Sequence, residues 1–437
     1  MPLTLSRKLQ GRDWPLAALS GVAGALLVLL FQSLLHLTET AMGSPDHSLV
    51  GVARQLTPWQ RALAPALGGW LAGWILLHGR RLLAKTGGDY LEAVRVGSGR
   101  LGFRHTLINS LSSFCTVASG GSIGREGAMV SLSALAASLL TRRRALPAAR
   151  RRLLVACGVA AGWAAAYHAP LAGALFAAEV VRRRLRWREF PILLLASSCA
   201  SLTVGRLLGL EPLYRTPPLP PLAWPALLAY CLLALSLGAL APVFIKLMSR
   251  TRAAFARIPW SLPWRMALGG AVVGGLAWFW PEMWGNGYST VSQMLLSPPA
   301  WQLLAVLLAC KLLATAATSG SGAVGGIFTP MLFAGASCGA LGAQLLNAVW
   351  PETMPASGAA LVGMAAFLAA TAQAPLLAVT MMLEMSGACA MLAPLALAAL
   401  LAARVSLLLG GWSLYENGRH PAARRLRARV RRSLGRR

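Results

Sequence analysis

Two glycine-dense stretches interrupt an otherwise apolar chain: SGGSIGREGAM at 119–129 and SGSGAVGGIFTPM at 319–331. Each leads straight into an apolar, helix-forming run, so Gly124–Gly127 and Gly325–Phe328 read as the first turns of two helices. A helix N-terminus presents backbone N–H groups without intrahelical partners and a partial positive charge. Two such ends aimed at one spot would attract an anion. One end contributes about 0.3–2 kcal/mol. Desolvating a bare ion costs on the order of tens of kcal/mol in the Born limit, so several N–H and hydroxyl donors must converge. Partial charges and hydroxyls also let an ion leave again, which a full Lys or Arg charge would hinder. Glu126 lies inside the first stretch. A carboxylate there competes with an anion for the same donors. Its plainer assignment is an N-terminal cap, but an ionisable group embedded in apolar sequence is functional by default.

The remaining embedded charges are few: Glu179, Glu384 and Lys311. The two glutamates read as structural groups that pair with nearby donors, a proton role for Glu179 being the lesser alternative. Lys311 marks either an anion path or a helix end reaching for the surface. Cation paths use embedded carboxylates or carbonyl rings, and so short a set of acids favours anions over a cation or metabolite carrier. Gly335-Ala336-Ser337-Cys338-Gly339 mimics G-x-S-x-G, the mark of a hydrolase. That motif needs a strand–turn–helix elbow and a histidine base, whereas this stretch sits in an unbroken helical run. His168, the one histidine deep in an apolar segment, reads as a satisfied core residue. Seven cysteines are scattered without a C-x-x-C pair and read as buried small hydrophobes.

The elements that position these groups are membrane spans. Of 437 residues, 56% are hydrophobic and only 12% charged, against about a quarter charged in soluble proteins. Trp14–Thr38, Thr106–Gly124, Leu153–Ala178, Leu222–Ile245, Leu312–Pro351, Thr353–Leu383 and Met385–Ala403 contain no Asp, Glu, Lys or Arg. About 20 helical residues cross the hydrocarbon, and nothing alternates with the period of a barrel strand. The first stretch is too long for a signal peptide and reads as an uncleaved span. The net charge of +28 lies in clusters between spans, as cytoplasmic loops require. It therefore points to anionic lipid headgroups, with the Arg-rich tail lying on them, and not to nucleic acid.

The chain also repeats itself. Gly158, Ala169, Pro170, Leu171 and Glu179 match Gly363, Ala374, Pro375, Leu376 and Glu384 at one constant offset, each set downstream of a glycine cluster. Arg142, Arg143, Arg144, Arg150, Arg151 and Arg152 end one segment of the first half, while its counterpart ends in PETMPASG, without a basic residue. If basic loops face the cytoplasm, matching segments end on opposite sides. The expected fold is therefore all-α and polytopic, with two inverted-topology repeats and broken helices, a design typical of transporters. The divisions are a cytoplasmic segment 1–13, repeat one over 14–210, repeat two over 222–416 and a basic tail 417–437. Pro170 and Pro375 restart helices inside apolar runs. Gly335, Gly339 and Gly342 read as close helix packing.

GREGA at 124–128, GGIFTP at 325–330 and the late tyrosine of GGWSLYENG at 410–418 resemble the CLC family of chloride channels and chloride/proton exchangers, over nearly the whole chain. The resemblance implies that Glu126 is a gate, its carboxylate taking an outer anion's place. It implies that backbone amides of Arg125, Gly127, Ile327 and Phe328 contact anions and that the Tyr415 hydroxyl reaches the central ion. It implies a homodimer with one pore per subunit, chloride as cargo with protons as a conditional partner, no cofactor, and no enzymatic activity. The Arg- and Ala-rich composition suggests a bacterial inner membrane. Two positions depart from the family. Its early G-S-G-I-P serine is replaced, the matching place being Gly88, where a backbone N–H can substitute. The internal glutamate of proton-coupled relatives is Val180 here, which favours passive conduction over exchange. The fluoride-selective branch differs in motifs that are intact here. The chain ends soon after Tyr415, so nucleotide regulation is not expected.

Overall fold

The structure, a computed structural model, describes residues 11, 13–44, 48–81, 89–142, 144–209, 211–220, 222–351 and 353–415. The described residues form seventeen α-helices with short π and 3-10 turns and no strand. The first half contains α1 (Asp13–Ala41), α2 (Leu49–Gln55), α3 (Pro58–Arg81), α4 (Tyr90–Arg95), α5 (Phe103–Ala118), α6 (Glu126–Arg142), α7 (Ala148–Tyr167), α8 (Pro170–Leu175) and α9 (Phe190–Leu208). The second contains α10 (Trp224–Arg257), α11 (Leu262–Phe279), α12 (Tyr288–Leu296), α13 (Trp301–Ser321), α14 (Phe328–Asn347), α15 (Ala356–Ala372), α16 (Pro375–Ser386) and α17 (Leu392–Leu408).

Seven of these helices are long and apolar enough to cross a membrane, among them Asp13–Ala41, Trp224–Arg257 and Trp301–Ser321. Leu19, Leu26, Leu30 and Leu37 project outward from α1, and Leu228, Leu232 and Leu240 from α10. Leucine on this scale on an outer face is costly in water and natural against lipid. The interior is built from α7 and α15, which are alanine-rich and buried along most of their length. Small residues let backbones approach closely. A Cβ on Gly363 would stand 2.2 Å from Gly335 O, and one on Gly339 would stand 2.1 Å from Ala359 O. Gly335 and Gly339 therefore pack α14 against α15, as the sequence suggested, whereas Gly342 faces the Leu233 side chain of α10.

The two halves correspond in detail. α8 and α16 both open on proline, whose fixed φ suits a first helical turn. The preceding helices both end on a non-glycine residue in the left-handed region, His168 at φ 54 and Gln373 at φ 56. These are matching positions, so each repeat makes the same sharp turn at the cost of some backbone strain. The glutamates then cap each other's half. Glu384 accepts the N–H groups of Leu171 at 2.9 Å and Ala172 at 2.8 Å. Glu179 accepts that of Leu377 at 2.8 Å. Each carboxylate thus sits on the positive end of the opposite repeat's broken helix, an exchange that an approximate two-fold relation requires.

Two expectations need correction. Only Cys157 is buried; Cys389 is exposed and the other five are intermediate, on helix faces turned partly outward. His168 is not a core histidine. It ends α7 at the wall of an open cavity, with its Nδ1 3.3 Å from Glu211 O. Polar exposure suits a left-handed helix end, where the chain must leave the bundle.

Candidate functional site

The first turns of α6 and α14 meet. Gly124 N–H donates to Gly326 O at 2.7 Å, and Gly326 N–H returns the bond to Gly124 O at 2.9 Å. A Cβ on Gly127 would lie 3.2 Å from Gly326 N, so the two helix ends are in contact. Both helices begin two residues past this bridge. Their unpartnered N–H groups and partial positive charges therefore converge from opposite repeats. Arg125, Glu126 and Gly127 thus come together with Ile327 and Phe328.

Glu126 is the first residue of α6 and only 3% exposed. Its Oε1 accepts the Thr329 hydroxyl and the Asn286 amide at 3.3 Å. Tyr167 and Thr329 share a further hydroxyl contact of 3.1 Å. Its Oε2 is buried with no hydrogen-bond partner among the described residues. Space for this carboxylate exists only because Gly124 and Gly326 lack side chains. A Cβ on Gly124 would fall 1.7 Å from Oε2, and one on Gly326 would fall 2.7 Å away. A carboxylate wedged against two helix N-termini with one oxygen unsatisfied occupies a place shaped for negative charge.

Tyr415 approaches from the far end of the chain, half-buried. Its ring meets Phe176 edge-on at 5.8 Å, and Phe176 stacks on Trp163 at 3.7 Å. Trp163 in turn meets Phe328 edge-on at 4.6 Å. This aromatic series connects Tyr415 to the start of α14. The position expected of the replaced serine, Gly88, lies outside the described residues. Neighbouring Asp89 caps α4, its Oδ1 accepting Tyr90 N–H at 2.7 Å.

Lys311 neither lines the junction nor reaches the surface. It is 1% exposed and donates to the carbonyls of Glu282 and Met283 at 3.1 Å and Gly285 at 2.9 Å. Its ammonium thus gathers the turn between α11 and α12, and that turn delivers Asn286 to Glu126. The same turn walls a cavity of about 650 Å³ reached also by Arg125, His36 and His168. Arg125 makes no ion pair among the described residues. Ser337 lies mid-helix in α14, its hydroxyl 3.6 Å from Met294 Sδ, without the elbow a nucleophile needs.

Sequence reasoning missed Thr329, Asn286 and Tyr167. Thr329 stands inside GGIFTP, so its hydroxyl beside the helix end was within sight. Tyr167 adjoins the repeat's broken-helix proline and carries no signal of its own. Nothing local distinguishes Asn286, which contacts Glu126 across 160 positions.

Residues 68–407 match the voltage gated chloride channel family. A putative chloride channel protein, ClcB-like, from Ralstonia nicotianae is 43% identical over 389 residues, covering 88% of this chain and 91% of that protein. A voltage-gated ClC-type chloride channel, ClcB, from Salmonella dublin is 40% identical over 415 residues, covering 92% and 97%. Among solved structures, a slow cyanobacterial Cl−/H+ antiporter superposes with a TM-score of 0.82 at 24% identity, over 93% of this chain and 97% of that one. That likeness concerns the fold. Two inverted halves, broken helices meeting at GREGA and GGIFTP, and relatives matched over almost their full length leave one assignment: this chain belongs to the voltage-gated chloride channel (CLC) family.

Proposed function

We propose that the chain carries chloride across a bacterial inner membrane by passive, channel-like conduction, with Glu126 as its gate. The observation that carries this reading is the junction of α6 and α14, where two helix ends converge on one buried carboxylate. Chloride displaces that carboxylate, or passes once it is protonated. The N–H groups of Arg125, Gly127, Ile327 and Phe328 then receive the ion, and Tyr415 donates its phenolic O–H at the next position inward. Gly88 is assigned the remaining inner contact through its backbone. The relatives' names, as chloride channels, support the cargo.

Passive conduction rests on Val180. It is 4% exposed and lies in the π turn that follows α8, where an internal carboxylate would be needed to relay a proton inward. Val180 has no titratable group. The two repeats, 14–210 and 222–416, form one pore per subunit, and the assembly is a homodimer. The deciding experiment is chloride efflux from liposomes with simultaneous proton recording. Chloride flux without coupled proton movement is expected. Uphill proton movement driven by a chloride gradient would establish a chloride/proton exchanger instead.

A further inference from the structure

Arg95 ends α4, and its guanidinium makes no ion pair among the described residues. All three of its nitrogens donate to backbone carbonyls. Nη2 reaches Val180 O at 2.6 Å, Nε reaches Val181 O at 3.0 Å and Nη1 reaches Tyr415 O at 3.0 Å. The first two acceptors are the last residues of the π turn Phe176–Val181. Carbonyls at a helix C-terminus lack intrahelical donors and carry partial negative charge, so a cation there satisfies both needs. The third acceptor lies 320 positions away, on the segment that brings the tyrosine ring to Phe176. That segment is otherwise held by Gly411 N–H to Ser406 O at 2.7 Å, Leu414 N–H to Thr371 O at 3.0 Å, the Ser413 hydroxyl to Ala372 O at 2.7 Å and Tyr415 N–H to Ser413 Oγ at 3.4 Å, none of which ties it to the π turn.

We propose that Arg95 is a positioning residue for Tyr415: its rigid three-way fork locks the tyrosine's backbone to the broken helix α8 and so fixes where the phenol stands. The inference rests on the anion role given to Tyr415 above. A guanidinium offers several donors in fixed planar geometry, whereas a lysine offers a point charge on a flexible stem. Lysine at this position would keep the charge at the helix end but not hold three carbonyls in register. The π turn after α8 offers two adjacent carbonyls, Val180 O and Val181 O, to this one side chain.

The test uses Arg95→Ala, Arg95→Lys, Tyr415→Phe and the Arg95→Ala/Tyr415→Phe double variant, each reconstituted in liposomes. Chloride flux is measured against chloride concentration, and amide exchange is followed at Leu414. Arg95→Ala is expected to raise the half-saturating chloride concentration about tenfold, with maximal flux changed by less than about twofold. It should also speed Leu414 exchange by about tenfold. Arg95→Lys should fall between wild type and Arg95→Ala, and it serves in place of the alanine variant if that one does not fold. In the Tyr415→Phe background, Arg95→Ala should add no further shift. A wild-type half-saturation in both Arg95 variants, alongside a shifted Tyr415→Phe, would overturn the positioning role alone. Additive shifts would overturn it as well. A wild-type Tyr415→Phe would remove the anion role of Tyr415 and this proposal with it.

Discussion

Replacing Gly124 with alanine should open the gate without touching the gating residue. The added Cβ would stand 1.7 Å from Glu126 Oε2, 2.6 Å from Cδ and 2.8 Å from Oε1. Ordinary contact for a Cβ begins at 3.4 Å, so the carboxylate must retreat by a further 1.7 Å. That is more than its bonds to Thr329 and Asn286 can follow, since the Asn286 contact is already 3.3 Å long. The backbone need not move, because the clash is with the far end of a flexible side chain and the Gly124–Gly326 bridge is made by main-chain atoms. Each hydrogen bond to a charged acceptor is worth about 1.5–3 kcal/mol. Exchange for water recovers part of this, leaving a net loss of about 1–3 kcal/mol, or a factor of about 5–150 in gate occupancy. The assay is chloride efflux from liposomes across a pH series. A neutral side chain holds two helix ends more weakly than a carboxylate does, so the pH series reads how far flux depends on the gate's charge. The alanine variant should conduct more at neutral pH, and its low-to-neutral pH flux ratio should shrink by about fivefold or more. Glu126→Gln, permanently neutral, supplies the limiting case of a flat profile. A Gly124→Ala protein with wild-type flux and wild-type pH response would refute the reasoning, because the carboxylate would then have no need of the space.

Lys311→Met removes the cation that holds the turn between α11 and α12 and leaves buried carbonyls unsatisfied. Thermal denaturation in detergent should show a loss of at least about 3 kcal/mol, since each orphaned buried polar group costs about 1–3 kcal/mol; an unchanged melting temperature would contradict this. Glu179→Gln and Glu384→Gln should each lower stability by about 1 kcal/mol, the worth of a charged cap at a helix N-terminus. The two losses should be similar because the contacts are reciprocal. Neither variant should change the preference between chloride and nitrate measured by efflux. A changed preference in Glu179→Gln would give that residue a part in the ion path.

The sequence carried the architecture because broken helices leave marks in composition. Glycines at 119–127 and 320–326 and prolines at 170 and 375 are poor choices inside a span, so their presence forecasts interruptions that the structure contains. The offset from Glu179 to Glu384 disclosed the duplication, and the asymmetry of basic loops gave its inverted sense. What the chain did not disclose was pairing across the axis. That Glu384 caps α8 and Glu179 caps α16 follows from three-dimensional exchange between halves, and no local pattern encodes it. Asn286 and Arg95 escaped notice for the same reason: each acts on a partner more than 80 positions away. Lys311 was visible as an embedded charge, but its role depends on four carbonyls gathered by a turn that reads as ordinary linker. The cysteines were misjudged because an apolar segment in a membrane protein has two apolar surroundings, the protein interior and the lipid, and composition does not separate them.

The most direct test of the account is to locate a heavy halide. Crystals of the Glu126→Gln protein grown in bromide should give an anomalous peak at the junction of α6 and α14, within hydrogen-bonding distance of backbone N–H groups from both helices. Bromide found elsewhere along the conduction path, with that junction empty while the variant still passes halide in liposomes, would contradict it.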